Sequence, residues 1–195
     1  MVLLALTPGI SANLEDSLAD YPNIIYIVTI YNSIVMNLLL TELGYFGPMI
    51  LSIIIVERIY NENKDKKIRH SNAIYFLILF WMFANEMLNR LLKDIIQQPR
   101  PEGIDYINFW DSPTSYGMPS GHEQTAAAAA TFIILYFNNN ILSTYAVAQS
   151  ILTGYQRWYY RKHTLEQVIA GGIIGIIMGN VLYYILPRNS SEVTK

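Results

Sequence analysis

Two histidines and three cationic residues lie in short polar stretches that interrupt an otherwise apolar chain of 195 residues. They are Lys93, Arg100, His122, Arg157 and His163. This set suits phosphoryl transfer, because cations hold the non-bridging oxygens of a phosphate and stabilise the charge of its transition state. Two histidines in different environments can take opposite protonation states. One then attacks as a neutral imidazole while the other gives a proton to the leaving oxygen.

The segment 116–124, Tyr-Gly-Met-Pro-Ser-Gly-His-Glu-Gln, predicts the start of a helix. Proline is tolerated at such a start, and the Ser120 oxygen is expected to cap the first N–H groups. Free N–H groups, including that of Gly121, also form an anion site, which His122 would face. The alternative is an ordinary capped helix in which His122 has no chemical role.

Each of the other polar stretches also has a structural explanation when it is read alone. Lys93 can be a lysine that extends from a helix end towards the membrane surface. Arg100 can be a solvated loop residue, and Arg157 an interfacial anchor. Thr164 and Gln167 fit a capping box, in which each side chain satisfies an N–H group at the helix start. Independent anchors, however, have no reason to gather around one cavity, so the combination favours a phosphate site.

Composition narrows the chemistry further. The chain has no cysteine and a net charge of −2, which excludes thiolate metal sites and disulfides and gives no support to nucleic-acid binding. No cluster of carboxylates, or of histidine and cysteine, has the spacing of metal ligands. We therefore expect the protein to supply the positive charge itself, with neither a metal nor a cofactor.

The distribution of charge predicts an all-α integral membrane bundle of about six transmembrane helices, with the active site at one membrane face. Residues 21–41, 125–156 and 167–187 contain no charged side chain, and about 20 apolar residues suffice to cross a bilayer as a helix. The predicted spans are 23–40, 43–56, 73–92, 120–137, 141–157 and 164–186. Residues 1–22 form a lead-in, 23–186 the membrane domain and 187–195 a tail. The sequence contains no internal repeat and predicts no oligomeric state.

Alternation of the spans places all the candidate residues on one side of the membrane. The loop 61–70 on the other side is short and basic, which makes that side cytoplasmic by the positive-inside rule. The active site is therefore expected to face the lumen or the cell exterior. Gly171, Gly175 and Gly179, four residues apart, predict a close helix contact inside the bundle rather than between copies.

The order and spacing of these residues resemble the three signatures of the type-2 phosphatidic acid phosphatase family. The signatures are Lys93-x6-Arg100-Pro101, Pro119-Ser120-Gly121-His122 and Arg157-x5-His163, within a frame of residues 70–186. Two longer stretches look most like the dolichyl-diphosphatase branch of the endoplasmic reticulum. They are Tyr116-Gly-Met-Pro-Ser and His163-Thr164-x-x-Gln167-Val168-x-x-Gly171-Gly172.

The resemblance implies a metal-independent lipid phosphatase, with His163 as the nucleophile that forms a phosphohistidine and His122 as the general acid. The residues implied to bind phosphate are Lys93, Arg100, Ser120, Gly121 and Arg157. The implied substrate is a polyprenyl diphosphate in the bilayer, cleaved to the monophosphate at the lumenal face of the endoplasmic reticulum to recycle the carrier of protein N-glycosylation. The alternatives are phosphatidic acid or another lipid phosphate as substrate, or a non-catalytic phospholipid-binding membrane protein.

The chain departs from the wider family at two positions. Gln156 stands before Arg157 where the family has serine, and Gln167 stands four residues after His163 where aspartate is usual. The dolichyl-diphosphatase branch shares this glutamine, whose oxygen can still orient the imidazole but adds no charge. Glu166 is a candidate for the missing charge, although a residue in the first turn more often favours the helix dipole.

Overall fold

The computed structural model describes residues 39–64, 73–102 and 116–186, together with residues 27, 30, 31, 33–35 and 37. The chain divides into two units, Met1–Leu39 and Leu40–Lys195. The described residues of the first unit are helical. Most of the predicted first span, the lead-in 1–22 and the tail 187–195 lie outside the described residues.

The described part of the second unit is helical apart from its turns and one isolated β-bridge. A π-helical turn, Leu39–Leu43, precedes the first helix. The helices are α1 Gly44–Lys64, α2 Ala73–Ile96, α3 Gly121–Phe137, α4 Asn140–Tyr159 and α5 Leu165–Ile185. All five predicted starts lie within one residue of the observed ones, since Pro, Ser, Asn and Thr near each start leave a clear signal.

Two predicted helix ends were too early by four residues or more. Helix α1 continues to Lys64, so the first four residues of the predicted loop 61–70 are helical. The Asn61 amide donates to the Glu57 carboxylate one turn back, which supports this extension. Helix α2 runs to Ile96 and places Lys93 in its last turn. It stops where Gln97 takes a positive φ of 52°, two residues before Pro99.

Helix α3 lies at the centre of the bundle and packs against each of the other four helices. Its side chains at 126–130 are all alanine and all buried, so neighbouring backbones can approach closely. The predicted glycine stripe on α5 makes the closest of these contacts. A Cβ atom on Gly175 would lie 2.3 Å from the Gln124 carbonyl oxygen, and one on Gly179 would lie 2.5 Å from that of Ala128. The stripe therefore serves packing inside the bundle.

Apolar side chains of α1, α2, α3 and α5 form the core beyond these small residues, and they include Ile59, Trp81, Phe132 and Leu182. Trp81 also donates from Nε1 to the Met178 carbonyl oxygen at 2.9 Å, which joins α2 to α5. Two stretches of the described chain are long and apolar enough to cross a membrane by length and composition: Leu165–Ile185, which is α5, and Ser33–Lys64, which includes α1.

Candidate active site

A polar cavity of about 510 Å³ opens at the end of the bundle where α2 and α4 finish and α3 begins. Six of the residues singled out in the sequence line it: Lys93, Arg100, Gly121, His122, Arg157 and His163. Lys93 and Arg157 lie at the C-terminal ends of α2 and α4, and Gly121 and His122 lie at the N-terminus of α3. Arg100 and His163 lie in the polar stretches that follow α2 and α4. Tyr45, Phe46, Glu86, Asn89 and Thr125 are further lining residues.

Backbone hydrogen bonds join the polar stretches to one another. The Gly117 N–H donates to the Gln98 carbonyl oxygen at 2.8 Å, and Pro99 and Tyr116 form an antiparallel bridge beside it. The Ser120 N–H donates to the Gln167 carbonyl oxygen at 2.9 Å. The three stretches, although distant in sequence, are therefore held as one unit around the cavity.

Cationic charge dominates the cavity. Arg100 reaches across to the third stretch and donates from a terminal guanidinium nitrogen to the Lys162 carbonyl oxygen at 2.9 Å. Glu86 is the acidic side chain on the wall, and Arg90 donates to it at 2.9 Å where both are exposed. The cavity is therefore lined by three positive charges, from Lys93, Arg100 and Arg157, and by one carboxylate that is already paired with Arg90. This excess of positive charge favours an anionic ligand.

His163 lies in the turn between α4 and α5 and is 2 % exposed. Its Nδ1 is 2.8 Å from the Gly117 carbonyl oxygen and 3.2 Å from the Gln167 Oε1. Both partners can only accept, so Nδ1 carries the proton and donates it. The other ring nitrogen, Nε2, is then unprotonated in the neutral ring, as a nucleophile requires.

The surroundings of His163 also favour its neutral form. Burial is the main cause that holds the pKa of His163 well below its usual value, and nearby positive charges add to the effect. These charges are, in decreasing order of effect, Arg157, Arg100 and Lys93. The positive charges that line the cavity therefore also favour the neutral form of His163.

Gln167 holds His163 and the first polar stretch together. Its Nε2 donates to the Pro99 carbonyl oxygen at 2.8 Å and to the Gln98 Oε1 at 3.0 Å. These donors fix the amide orientation and leave Oε1 to face His163. The same oxygen accepts from the Thr164 N–H, which completes the predicted capping box at the start of α5. An aspartate could not make the two donor contacts.

Ser120 occupies the N-cap position of α3, but the predicted cap is absent. Its side chain makes no capping hydrogen bond. The hydroxyl is buried and has no hydrogen-bond partner among the described residues. The backbone of Ser120 does begin the helix, because its carbonyl oxygen accepts from the Gln124 N–H at 2.9 Å. Ser120 directly precedes Gly121 on the cavity wall but does not itself line the cavity.

Buried amides connect α2 to the start of α3. Asn89 Nδ2 donates to the Gln124 Oε1 at 2.8 Å and to the Pro119 carbonyl oxygen at 3.3 Å. Gln124 Nε2 in turn donates to the Asn85 Oδ1 at 2.9 Å. The amide oxygen of Asn89 faces Gly121, where a Cβ atom would lie 3.0 Å from it. A side chain at position 121 would therefore require the Asn89 amide to shift by a few tenths of an ångström.

The sequence pattern gave no role to several residues that build the site, although Gly117 and Gln124 lie within the segment 116–124 that it singled out. Gly117, Gln98 and Gln124 act through tertiary contacts, which residue spacing along the chain does not reveal. Tyr45 is another: it comes from α1 and its ring meets that of His122. Among the described residues no three histidine, cysteine or acidic side chains form a cluster that could hold a metal ion.

Comparison with known proteins agrees with this arrangement. Residues 74–191, which carry all three signatures, match the PAP2 superfamily. The chain belongs to the PAP2 superfamily. It is 36% identical over 110 residues to dolichyldiphosphatase 1 of Homo sapiens, covering 48% of this chain and 45% of that protein. It is 31% identical over 121 residues to the dolichyldiphosphatase of Saccharomyces cerevisiae, covering 56% and 51%.

The chain thus spans about half the length of these curated relatives. A structural relative is the transmembrane PAP2-type phosphatidylglycerolphosphate phosphatase from Bacillus subtilis. Its crystal structure superimposes with a TM-score of 0.60 at 21% identity, covering 82% of this chain and 78% of that one. This PAP2 fold confirms the predicted class, an all-α integral membrane bundle.

Proposed function

We propose that this protein is a metal-independent membrane diphosphatase that removes the terminal phosphate of a polyprenyl diphosphate such as dolichyl diphosphate. The single observation that carries the proposal is the meeting of His163, with its Nδ1 proton held by Gly117, and three cations in one cavity. Membership of the PAP2 superfamily and the similarity to two dolichyldiphosphatases support the reaction and the substrate class.

The reaction has two steps at the terminal phosphorus. His163 Nε2 attacks the phosphorus, the bond to the bridging oxygen breaks, and the polyprenyl monophosphate leaves with a proton from His122. Water then attacks the phosphohistidine, gives a proton back to His122, and releases inorganic phosphate. Each histidine thus returns to its starting state.

The phosphate oxygens would be held by the cationic side chains and by the start of α3. Lys93, Arg100 and Arg157 neutralise the charge that moves through the transition state. The Gly121 N–H and the buried Ser120 hydroxyl provide uncharged donors at the helix N-terminus. Gln167 orients His163 and takes no direct part in the chemistry.

A lipid substrate is supported by an apolar groove beside the polar cavity. The groove has a volume of about 860 Å³ and runs between α1 and α2, with residues such as Ile53, Val56 and Leu79 on its walls. It shares Pro48, Met49 and Thr125 with the polar cavity. A diphosphate in the cavity would therefore leave its hydrocarbon chain against this apolar surface.

The proposed site of action is the lumenal face of the endoplasmic reticulum, where the product would re-enter the carrier cycle of protein N-glycosylation. The end of α2, the start of α3 and the end of α4 share one end of the bundle. Helix α1 begins at this end with Tyr45 on the cavity wall and finishes with Lys64 at the other, and in the sequence Lys66, Lys67 and Arg69 follow it. The positive-inside rule then assigns that other end to the cytoplasm.

Phosphate release by the purified protein tests the function. The substrates are a polyprenyl diphosphate, its monophosphate and phosphatidic acid, each with EDTA, and His163→Ala is the control. We expect EDTA-resistant release that favours the diphosphate and is lost in the variant. Preference for phosphatidic acid would contradict the dolichyl assignment, and no release by the folded protein would favour a phospholipid-binding role.

A further inference from the structure

Tyr45 places one aromatic ring against two groups of the cavity. Its ring centroid is 4.8 Å from that of His122, with the planes tilted by 45°. The guanidinium carbon of Arg157 lies 5.8 Å from the same centroid. Three helices therefore meet at this ring: α1 supplies the tyrosine, α3 the histidine and α4 the arginine.

Small residues allow the start of α1, which carries Tyr45, to approach α4 closely. A Cβ atom on Gly44 would lie 2.6 Å from the Gln156 Cβ, closer than real Cβ atoms approach, so this position requires glycine. A Cβ atom on Gly47 would lie 2.3 Å from Nε2 at the end of the flexible Gln149 side chain, which would have to move. Gln149 Nε2 also donates to the Leu43 carbonyl oxygen at 2.7 Å, which ties the start of α1 to α4.

The face of an aromatic ring carries partial negative charge and attracts a cation within about 6 Å. Arg157 and a protonated His122 would repel each other in a cavity that already holds other cations. The partial negative charge on the face of the Tyr45 ring offsets part of that repulsion. Contact with the ring also restricts both side chains to positions that face the cavity. Tyr45 itself lines the cavity beside them.

We propose that Tyr45 is a positioning residue for phosphate-ester cleavage, whose ring holds His122 in place to protonate the leaving oxygen while Arg157 binds the phosphate. This inference rests on the proposed function, because it needs His122 to act as the general acid. The ring, and not the hydroxyl, carries the effect. Tyr45→Phe should therefore keep it, whereas Tyr45→Leu and Tyr45→Met should lose it.

The test uses two soluble esters whose leaving groups differ in their need for a proton. Phenyl phosphate releases a basic phenolate that requires an acid, whereas p-nitrophenyl phosphate releases a stabilised anion. Full-length protein in detergent is assayed for kcat/KM on both. Tyr184→Leu, which changes an exposed tyrosine of α5, is the matched control, and elution and melting in detergent identify the variants that remain folded.

We expect Tyr45→Leu to lose about tenfold more kcat/KM on phenyl phosphate than on p-nitrophenyl phosphate, in the same direction as His122→Ala. Tyr45→Phe and Tyr184→Leu should preserve the wild-type ratio of the two rates. Tyr45→Met provides the same comparison if the leucine variant does not fold.

Equal losses on both esters in Tyr45→Leu and Tyr45→Met, with a selective loss in His122→Ala, would overturn the role of Tyr45 alone. Failure of both proposals gives a different result. It would appear as no phosphate release from a polyprenyl diphosphate by the folded wild type, or as equal losses on both esters in His122→Ala.

Discussion

The carbonyl oxygen of Gly117 accepts a hydrogen bond from His163 Nδ1 at 2.8 Å. This contact links the loop before α3 to the turn before α5, and it leaves the Nε2 lone pair of the neutral ring unprotonated. A backbone carbonyl performs the tautomer selection that a carboxylate provides in many histidine sites. The site can therefore work with glutamine at position 167, because Gln167 Oε1 adds only a longer contact of 3.2 Å.

Gln167→Glu should impair the enzyme although it nearly preserves size and adds the negative charge typical of the wider family. The new carboxylate oxygen would face the Pro99 carbonyl oxygen and Gln98 Oε1, where Gln167 Nε2 now donates. We expect kcat/KM to fall by at least about tenfold and stability to fall by about 1–3 kcal/mol. Gln97→Glu, one residue from this contact on the exposed side of the loop, is the control. Wild-type activity in Gln167→Glu would show that the donor contacts do not matter.

The low pKa of His163 predicts how stability depends on pH. The unfolded chain takes up a proton near the ordinary histidine pKa of about 6.5, whereas the folded site resists protonation. The contribution of His163 to the free energy of unfolding is therefore fully present above about pH 6.5. It decreases as the pH falls below that value, by at most about 1.4 kcal/mol per pH unit.

Melting temperatures of wild type and His163→Gln between pH 7.5 and 5 measure this effect. As the pH falls, the melting temperature of wild type should decrease more than that of His163→Gln. A difference that stays constant with pH would contradict a depressed pKa.

Gly175 and Gly172 provide a matched pair for the packing of α5 on α3. A Cβ on Gly175 would lie 2.3 Å from the Gln124 carbonyl oxygen, whereas one on Gly172 would meet nothing nearer than 3.6 Å. We expect Gly175→Ala to destabilise by about 1–3 kcal/mol through overpacking. Gly172→Ala should be neutral, or gain up to about 1 kcal/mol from helix propensity. Melting in detergent measures both, and equal melting temperatures would refute the close contact.

The apolar groove predicts a variant that affects lipid substrates alone. Val56→Trp should fill part of the groove wall and raise KM for a polyprenyl diphosphate by about tenfold, since a displaced chain loses about 0.8 kcal/mol per buried methylene. Hydrolysis of p-nitrophenyl phosphate should not change. Val147→Trp, at a comparably exposed valine of α4, is the control for a bulky residue on the bundle surface. Equal effects of both variants on KM would argue against the groove.

Local patterns predicted the helices and the three signatures because each depends on residues close together in sequence. The capping box at Thr164 and Gln167 formed as predicted, since both partners lie within one turn. Ser120 begins α3 as predicted, but its side chain makes no capping hydrogen bond. The contact between Tyr45 and His122 could not be predicted, since it depends on how α1 packs against α3. The same holds for the donor contacts of Gln167, which reach residues about seventy positions away.

If His163 Nε2 carries the phosphoryl group, rapid quenching during turnover should trap it. Polyprenyl diphosphate labelled in its terminal phosphate is mixed with wild type, His122→Ala and His163→Ala, and the quenched proteins are analysed for phosphohistidine by mass spectrometry. We expect transient label on His163 Nε2 in wild type, longer-lived label in His122→Ala because hydrolysis lacks its base, and none in His163→Ala. Turnover by wild type without label on His163, or label that persists in His163→Ala, would contradict this role of His163.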